Sequence, residues 1–594
     1  MQPVGLQEWI HKLEEGEGAK YIRLGLFFLA LLGLAALWHI REAKSFSSMD
    51  AMDSAQLARN IAEGKGYTTD FVRPLSIALI EQHRGRGADP ELLTKAHPDL
   101  ANAPVYPVLL AGLMKFLPMR WEITEQTFWR YHPERIIGGF NQALFFAALF
   151  LVYRLSVRLF DRAVGFMAVI LMALTELFWQ FTTSGLSTML LIVLWLLLVD
   201  ALVRLEAGNR EGGKSKTWLV GMAVYAGLIV GVMALTRYSM AWLILPVAAY
   251  VGAVVSGARA STTAAVVVVF AVCFAPWLVR NYNVSGRPFG TAGFSVHQGT
   301  VSFPGHILER SMPRDVSLAL NKIELDEYPR KLFVNGRDIL TDELPRAVGN
   351  WIGALFLGAM LIPFRNPALR RLRVFIGGTL LLFVVVQALG KTELSAEAPQ
   401  INSENLLFVF TPLFFVFGCG LFFVLLDQME FSAVWVRSVL QIGFVAMMSL
   451  PMVFRLLPPR AVPYDYPPYL PPYIQAVSAW LEPHEMMMSD MPWAVAWYGN
   501  QQCVWTTLDV GTDKADDFYK INDDRKAVRG LYLTPVTTNR RFLTEMRQGR
   551  EGAWANFYLD VAVMRNLPTG FPLRMAPPGM LPDQLFLSDR IRWH

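Results

Sequence analysis

Apolar runs about 20 residues long, separated by short charged stretches, dominate most of this chain. Runs long enough to cross a bilayer, about 17–25 residues, fall near 21–40, 136–157, 163–181, 186–204, 218–235, 239–256, 261–279, 348–364, 374–390, 405–426 and 435–455. The pattern predicts a polytopic α-helical membrane protein with about eleven transmembrane helices. Arginine and lysine then orient it, because cytoplasmic loops carry the excess of both. Arg154, Arg158 and Arg162 follow the second run, Arg204, Arg210, Lys214 and Lys216 the fourth, and Arg365, Arg370, Arg371 and Arg373 the eighth. If every run is a span, all three loops share the cytoplasmic side, and 41–135, 281–347 and everything after about 456 lie on the outer side.

The tail has a different texture. Seven prolines between Pro458 and Pro472 form a stiff linker that cannot continue a helix. Beyond it, Glu485–Val510 has aromatic and β-branched runs, Leu531–Pro535 reads as a short strand, and Arg540–Arg547 and Ala553–Val563 read as helices. The chain therefore divides into a transmembrane region over 1–455 with outer loops 41–135 and 281–347, a linker over 456–472, and a small outer α/β domain over 473–594.

Composition agrees with this class. The 594 residues are 53% hydrophobic and 17% charged, against roughly 25% charged in soluble domains. The net charge of +5 is accounted for by the cytoplasmic loops and forms no nucleic-acid-binding stripe. Cys273 and Cys419 lie in apolar runs and Cys503 far away in sequence, so no disulfide framework is suggested. The first run follows a polar segment rich in Glu and Lys, and no small-residue cleavage site comes after it, so it reads as an anchor rather than a signal peptide. No Walker loop, dinucleotide fingerprint, HExxH or Cys/His cluster is present. Soluble nucleotide-sugar binding has no visible site, and no cofactor is required, although a lone divalent ion on Asp50 stays open.

About ten residues past the first run, Asp50 and Asp53 open a short helix that continues through Ala51, Ala55, Ala58 and Ala62 to Glu63-Gly64-Lys65-Gly66-Tyr67. On the residues alone, two roles are open for Asp50. It can cap the helix with Asp53 three positions on, or it can be a general base held at the water–lipid boundary. Arg237 and Arg280 likewise read either as snorkelling anchors at span ends or as guanidinium contacts to a phosphate. Arg73 and Lys95 lie in the first outer loop within reach of the same phosphate. His83 and His97 read as surface residues, and Ser489–Trp493 and Ala496–Gly499 as domain core and turn.

The acid, its helix and the following Asn102-Ala103-Pro104-Val105-Tyr106-Pro107 resemble the first outer loop of the membrane-integral C-type glycosyltransferases, of the protein O-mannosyltransferase and aminoarabinose-transferase type. Leu235-Thr236-Arg237-Tyr238 and Pro276-Trp277-Leu278-Val279-Arg280-Asn281 agree with it in order and sidedness, so the likeness covers roughly 20–290. Three departures stand out. Ala51 follows the acid where the family usually has Asp-Glu. Ser184-Gly185-Leu186-Ser187-Thr188 offers hydroxyls where a second acid is common, with Glu176 upstream. Ser403-Glu404-Asn405-Leu406 stands where the family carries a late arginine.

The resemblance implies a multi-pass enzyme of the bacterial inner membrane that moves a sugar from a polyprenyl-phosphate donor to an acceptor hydroxyl of a lipid, glycan or protein, with inversion. Asp50 is the expected base and Asp53 its alternative. Arg73, Arg280, Arg237 and Lys95 are the expected contacts to the donor phosphate. Membrane lipid and an unidentified acceptor are the other partners, and no nucleic acid is expected. A flippase for lipid-linked glycans predicts charged residues in mid-span and broken helices in paired halves, whereas the spans are nearly free of ionisable groups and no two-fold repeat is visible. A non-catalytic scaffold predicts a dispensable first loop.

Overall fold

The computed structural model describes residues 17–42, 45–85, 93, 96–123, 131–362, 367–392, 401–430, 434–457, 470–510, 516–538, 552–581 and 583–593. Among these, seven helices are long and apolar enough to cross a membrane: Leu24–Arg41, His132–Leu159, Thr188–Arg210, Lys216–Thr236, Arg259–Ser285, Pro367–Gly390 and Trp435–Leu456. Two bent pairs raise the number to nine. The expected eleven differs because several apolar runs are interrupted. Arg162–Ala173 and Glu176–Thr183 meet at 58°, where Thr175 is extended and Glu176 starts a new helix. The runs near 239–256 and 405–426 each open with a 3₁₀ turn, Tyr238–Leu243 and Leu406–Phe410, leaving the shorter helices Ile244–Val254 and Pro412–Asp427.

Small residues let the helices approach. On Lys216–Thr236, a Cβ at Gly227 would meet the Val266 carbonyl oxygen at 2.6 Å, and one at Gly231 would meet Cys273 Cβ at 2.8 Å. This four-residue spacing of glycines brings the backbones of Lys216–Thr236 and Arg259–Ser285 together, where dispersion rather than water exclusion holds helices in lipid. The basic residues that set the orientation gather at one end of the bundle. Arg158 and Arg204 pair with Asp200, and Arg371 reaches across to the buried Glu206 at 3.0 Å.

The loops and the tail fold together at the opposite end. Thr68–Thr69 (β1) pairs antiparallel with His97–Pro98 (β3), while Phe71–Val72 (β2) joins a second sheet. That sheet has the order β2-β5-β4-β6-β7, with Met486–Ser489 (β4), Cys503–Trp505 (β5), Val528–Leu533 (β6) and Leu585–Ser588 (β7). Its first four strands are parallel and β7 is antiparallel. The helices Pro492–Gly499 and Asp517–Asp524 are the crossovers that parallel neighbours need. Strand β2 comes from the first loop, so one core runs from Val72, Ile77 and Leu93 into Met486, Val504, Phe518 and Leu531.

Other tail segments follow their local chemistry. Pro471 and Pro472 lie in the first turn of the helix Pro471–Ser478, where a missing N–H costs nothing. The rest of the proline run, and the expected helix Arg540–Arg547, lie outside the described residues. The strand expected at Leu531–Pro535 begins earlier, at Val528, and the helix expected over Ala553–Val563 is Gly552–Tyr558 followed by a wide turn.

Candidate active site

The helix Met49–Ala62 begins after Ser48, which is extended and occupies the N-cap position. Asp50 lies inside the first turn instead, so the capping role weighed for it is not the one it has. Its half-buried carboxylate accepts a hydrogen bond from the Ser403 hydroxyl. Ala51, Ala55 and Ala58 are fully buried. A small-residue face of this kind lets the helix sit close to its neighbours Val105–Phe116 and Pro492–Gly499.

Asp53, one turn on, is in a different environment. Only 1% of it is exposed. Its Oδ2 accepts from Arg73 Nη2 at 2.8 Å and from Asn102 Nδ2 at 3.0 Å. Arg73 sits where β2 runs into the helix Pro74–Arg84, its guanidinium 4.0 Å over the Phe71 ring and its Nε 3.8 Å from Glu309. The two carboxylates hold Arg73 firmly in its charged form. Asp99 completes the group: its carboxylate accepts from the Asn102 backbone N–H at 2.8 Å and the Asn102 amide at 3.2 Å. Burial and the nearby negative charge of Asp53 push Asp99 above the usual carboxylate range, to about 6.

Asp50, Asp53, Arg73 and Arg237 line one cavity of about 210 Å³. Arg237 is the extended residue that ends the helix Lys216–Thr236. Asp50 and Glu404 are the carboxylates acting on it. Among the described residues, no hydrogen bond or ion pair engages its guanidinium. An arginine held at a cavity wall with its fork unspent is suited to a bidentate anion.

Arg280 is not brought to this cavity, which departs from its expected role at a phosphate. Its Nη1 donates to the Asp99 carbonyl at 2.6 Å and the Asn281 side chain at 3.0 Å, its Nη2 to the Tyr67 carbonyl at 3.4 Å. The rings of Tyr67 and Trp277 flank it at 5.2 and 5.1 Å. With its donors spent on main-chain carbonyls, Arg280 holds the turn that carries Asp99 and Asn102. Lys95 lies outside the described residues. His97, read from sequence as a surface residue, is instead buried: β1–β3 pairing encloses it, and its Nε2 is 2.7 Å from the Ser76 hydroxyl. His83 is exposed.

Several residues at the site escaped sequence reasoning. Asn102 bridges Asp53 and Asp99, and its carbonyl accepts from the hydroxyls of Tyr67 and Tyr238 at 3.0 and 3.1 Å. Ser403 and Glu404, noted in the sequence only as standing where the family carries a late arginine, line the cavity. Thr392 holds the Glu404 carboxylate through its backbone N–H at 3.0 Å and through its hydroxyl. His306 and Glu309 complete a further wall from the second loop, and no motif pointed to them.

Residues 136–279 match the family model described as dolichyl-phosphate-mannose-protein mannosyltransferase. The fold is similar to that of the archaeal oligosaccharyltransferase AglB from Archaeoglobus fulgidus, solved with an inhibitory peptide and a dolichol-phosphate. That similarity covers 90% of this chain and 72% of that one at 10% identity, with a TM-score of 0.50. ArnT from Cupriavidus metallidurans in the apo state also aligns, over 96% of this chain and 98% of that one, at 11% identity and a TM-score of 0.40. A search of curated proteins finds no match. The matched segment contains Arg237, which faces the cavity, and joins the two loops that build it. Residues 136–279 are thus similar to that mannosyltransferase family, and the chain as a whole shares the fold of the oligosaccharyltransferase.

Proposed function

We propose that this protein transfers a sugar from a polyprenyl-phosphate donor to an acceptor hydroxyl in a single inverting displacement, at the outer face of a bacterial inner membrane. The observation that carries the reading is the presence of a half-buried carboxylate and an arginine with an unspent fork, Asp50 and Arg237, in one cavity beside the membrane helices. Asp50 takes the acceptor's proton as its oxygen attacks the anomeric carbon. The bond from that carbon to the phosphate oxygen breaks, and its electron pair leaves on the lipid phosphate, where Arg237 stabilises the growing charge. The Ser403 hydroxyl aims the Asp50 carboxylate. Arg73, bound to Asp53 and close to Glu309, fixes the loop at the cavity wall. A lipid donor arrives already activated, which accounts for a site without a nucleotide fold.

The test is direct. Purified protein in nanodiscs is given a labelled polyprenyl-phosphate sugar with a membrane extract as acceptor, and the release of polyprenyl phosphate and the movement of label are followed. Release that depends on the protein and is lost in Asp50→Asn is the expected result. Label that crosses the bilayer without the sugar–phosphate bond being cut would instead identify a flippase.

A further inference from the structure

The tail strand β5 pairs with β2 in parallel, Phe71 opposite Cys503 and Val72 opposite Val504, and the Cys503 N–H donates to the Asp70 carbonyl at 2.8 Å. Phe71 meets the rings of Trp493 and Trp505 edge-on, at 5.8 and 5.7 Å. The Arg73 guanidinium lies on the opened face of that same phenyl ring, 4.0 Å from its centre. One wall of the cavity is thus referenced to β5.

A second wall is referenced to the same strand from a different loop. Arg310, 4% exposed, donates from Nε to the Thr506 carbonyl at 2.7 Å, and from Nη2 to the Thr506 hydroxyl at 3.0 Å and the Thr507 carbonyl at 3.2 Å. The His306 ring lies 5.1 Å from that of Trp505. Between these two anchors is Glu309, whose carbonyl accepts from the Leu75 N–H at 3.0 Å and whose carboxylate is 3.8 Å from Arg73 Nε. A domain that merely rested on the loops would meet them through apolar contact. Here a buried planar fork reads three oxygens of the tail, an arrangement that fixes distance and direction together.

We infer that β5 and the Thr506–Thr507 segment after it are a positioning element of the cavity: they seat Arg73 through β2 and Glu309 through Arg310, and so set the separation of two walls against which a lipid-phosphate sugar would bind. The inference rests on the proposed function only for the identity of that ligand. The tail is then part of the transferase site, acting through other residues without touching substrate.

The experiment uses the full-length protein in nanodiscs with Arg310→Gln, Arg310→Lys, Trp505→Ala and Trp505→Phe. Amide hydrogen exchange is followed over 68–76 and 304–311, and kcat and donor KM are measured per folded, monodisperse enzyme. Arg310→Gln and Trp505→Ala are expected to speed exchange in both segments. They are also expected to lower kcat/KM by about ten-fold, within the roughly 10²-fold that a misplacement of about 1 Å can cost. Arg310→Lys and Trp505→Phe should recover most of that loss. Folded variants with the parent's kcat, KM and exchange overturn the inference. If the larger changes do not fold, the two conservative variants decide it: a smaller shift in the same direction upholds it, and none overturns it. If the parent itself transfers no sugar, the proposed function fails, and the exchange measurement alone decides this inference.

Discussion

Replacing Asp50 and Asp53 one at a time by asparagine separates chemistry from architecture, because the two carboxylates stand one turn apart in opposite environments. Asp50→Asn keeps an oxygen that accepts from Ser403 and leaves the Ser48 cap position untouched. It removes one negative charge from the first turn of a helix, worth about 0.3–1 kcal/mol at an N-terminus. Folding should hardly change. Turnover should fall by about 10²–10⁴-fold, the usual range for a lost general base, or about 3–5 kcal/mol of barrier at 1.36 kcal/mol per decade. Asp53→Asn does the reverse. Its Oδ2 faces a buried Arg73 at 2.8 Å, and breaking a buried pair by removing one partner costs about 3–5 kcal/mol. Glu309, 3.8 Å from Arg73 Nε, offsets part of that, so the loss should fall at the lower end and show as a reduced midpoint of thermal unfolding. The assay pairs thermal unfolding in nanodiscs with labelled-sugar release per folded enzyme. Parental turnover in Asp50→Asn would falsify its role as base, and a severe loss per folded enzyme confined to Asp53→Asn would move the base to Asp53.

Four further outcomes are expected. Arg237→Gln should raise the donor KM by about ten-fold or more, since a hydrogen bond to a charged group is worth about 1.5–3 kcal/mol, with Arg237→Lys intermediate. Arg280→Ala should instead lower thermal stability, because its donors hold the carbonyls of Asp99 and Tyr67; a selective rise in donor KM without loss of stability would contradict that. Asp99 carries its own pH signature: its folded-state pKa, about 6, lies above the ordinary 3.8, so the stability it contributes is full below about pH 4 and is lost as pH rises through about 6. Unfolding midpoints of Asp99→Asn should therefore gain on the parent between pH 4 and 7, and a constant difference across that range would refute the assignment. Reporter fusions should show extracytoplasmic activity at about residue 320 and after 480, and cytoplasmic activity near 212 and 368; inversion at both ends would remove the proposed lipid-donor mechanism.

What the sequence made legible is what depends on local pattern. The apolar runs announce helices because twenty apolar residues in a row have few alternatives, and the arginine-rich loops announce a shared end, where Arg158, Arg204 and Arg371 are in fact engaged with Asp200 and Glu206. The breaks were less visible. A Thr175–Glu176 step in an apolar run reads as a minor irregularity, yet it redirects the chain by 58°. The two-residue strand β2 carries no period at all, and only its partner β5, more than 400 residues away, makes it a strand.

The same distinction applies to the two arginines at span ends. Arg237 and Arg280 present the same side chain at the same kind of position, and nothing within several residues of either tells them apart. Their roles are decided by what the folded loops leave nearby. Arg280 meets two main-chain carbonyls and an asparagine oxygen and donates to all three. Arg237 meets two carboxylates across a cavity and no bonded partner among the described residues. Asp53 and Asp50 both line the cavity but divide in the same way: Asp53 is paired with Arg73 at 2.8 Å and belongs to the frame, whereas Asp50 accepts from the Ser403 hydroxyl and, among the described residues, pairs with no arginine at that distance. In a site assembled from two loops and several span ends, charged residues are proposed to acquire function by remaining unneutralised. That condition belongs to the tertiary structure, and it is the ground on which Asp50 and Arg237, rather than their sequence-equivalent neighbours, are proposed as the reacting pair.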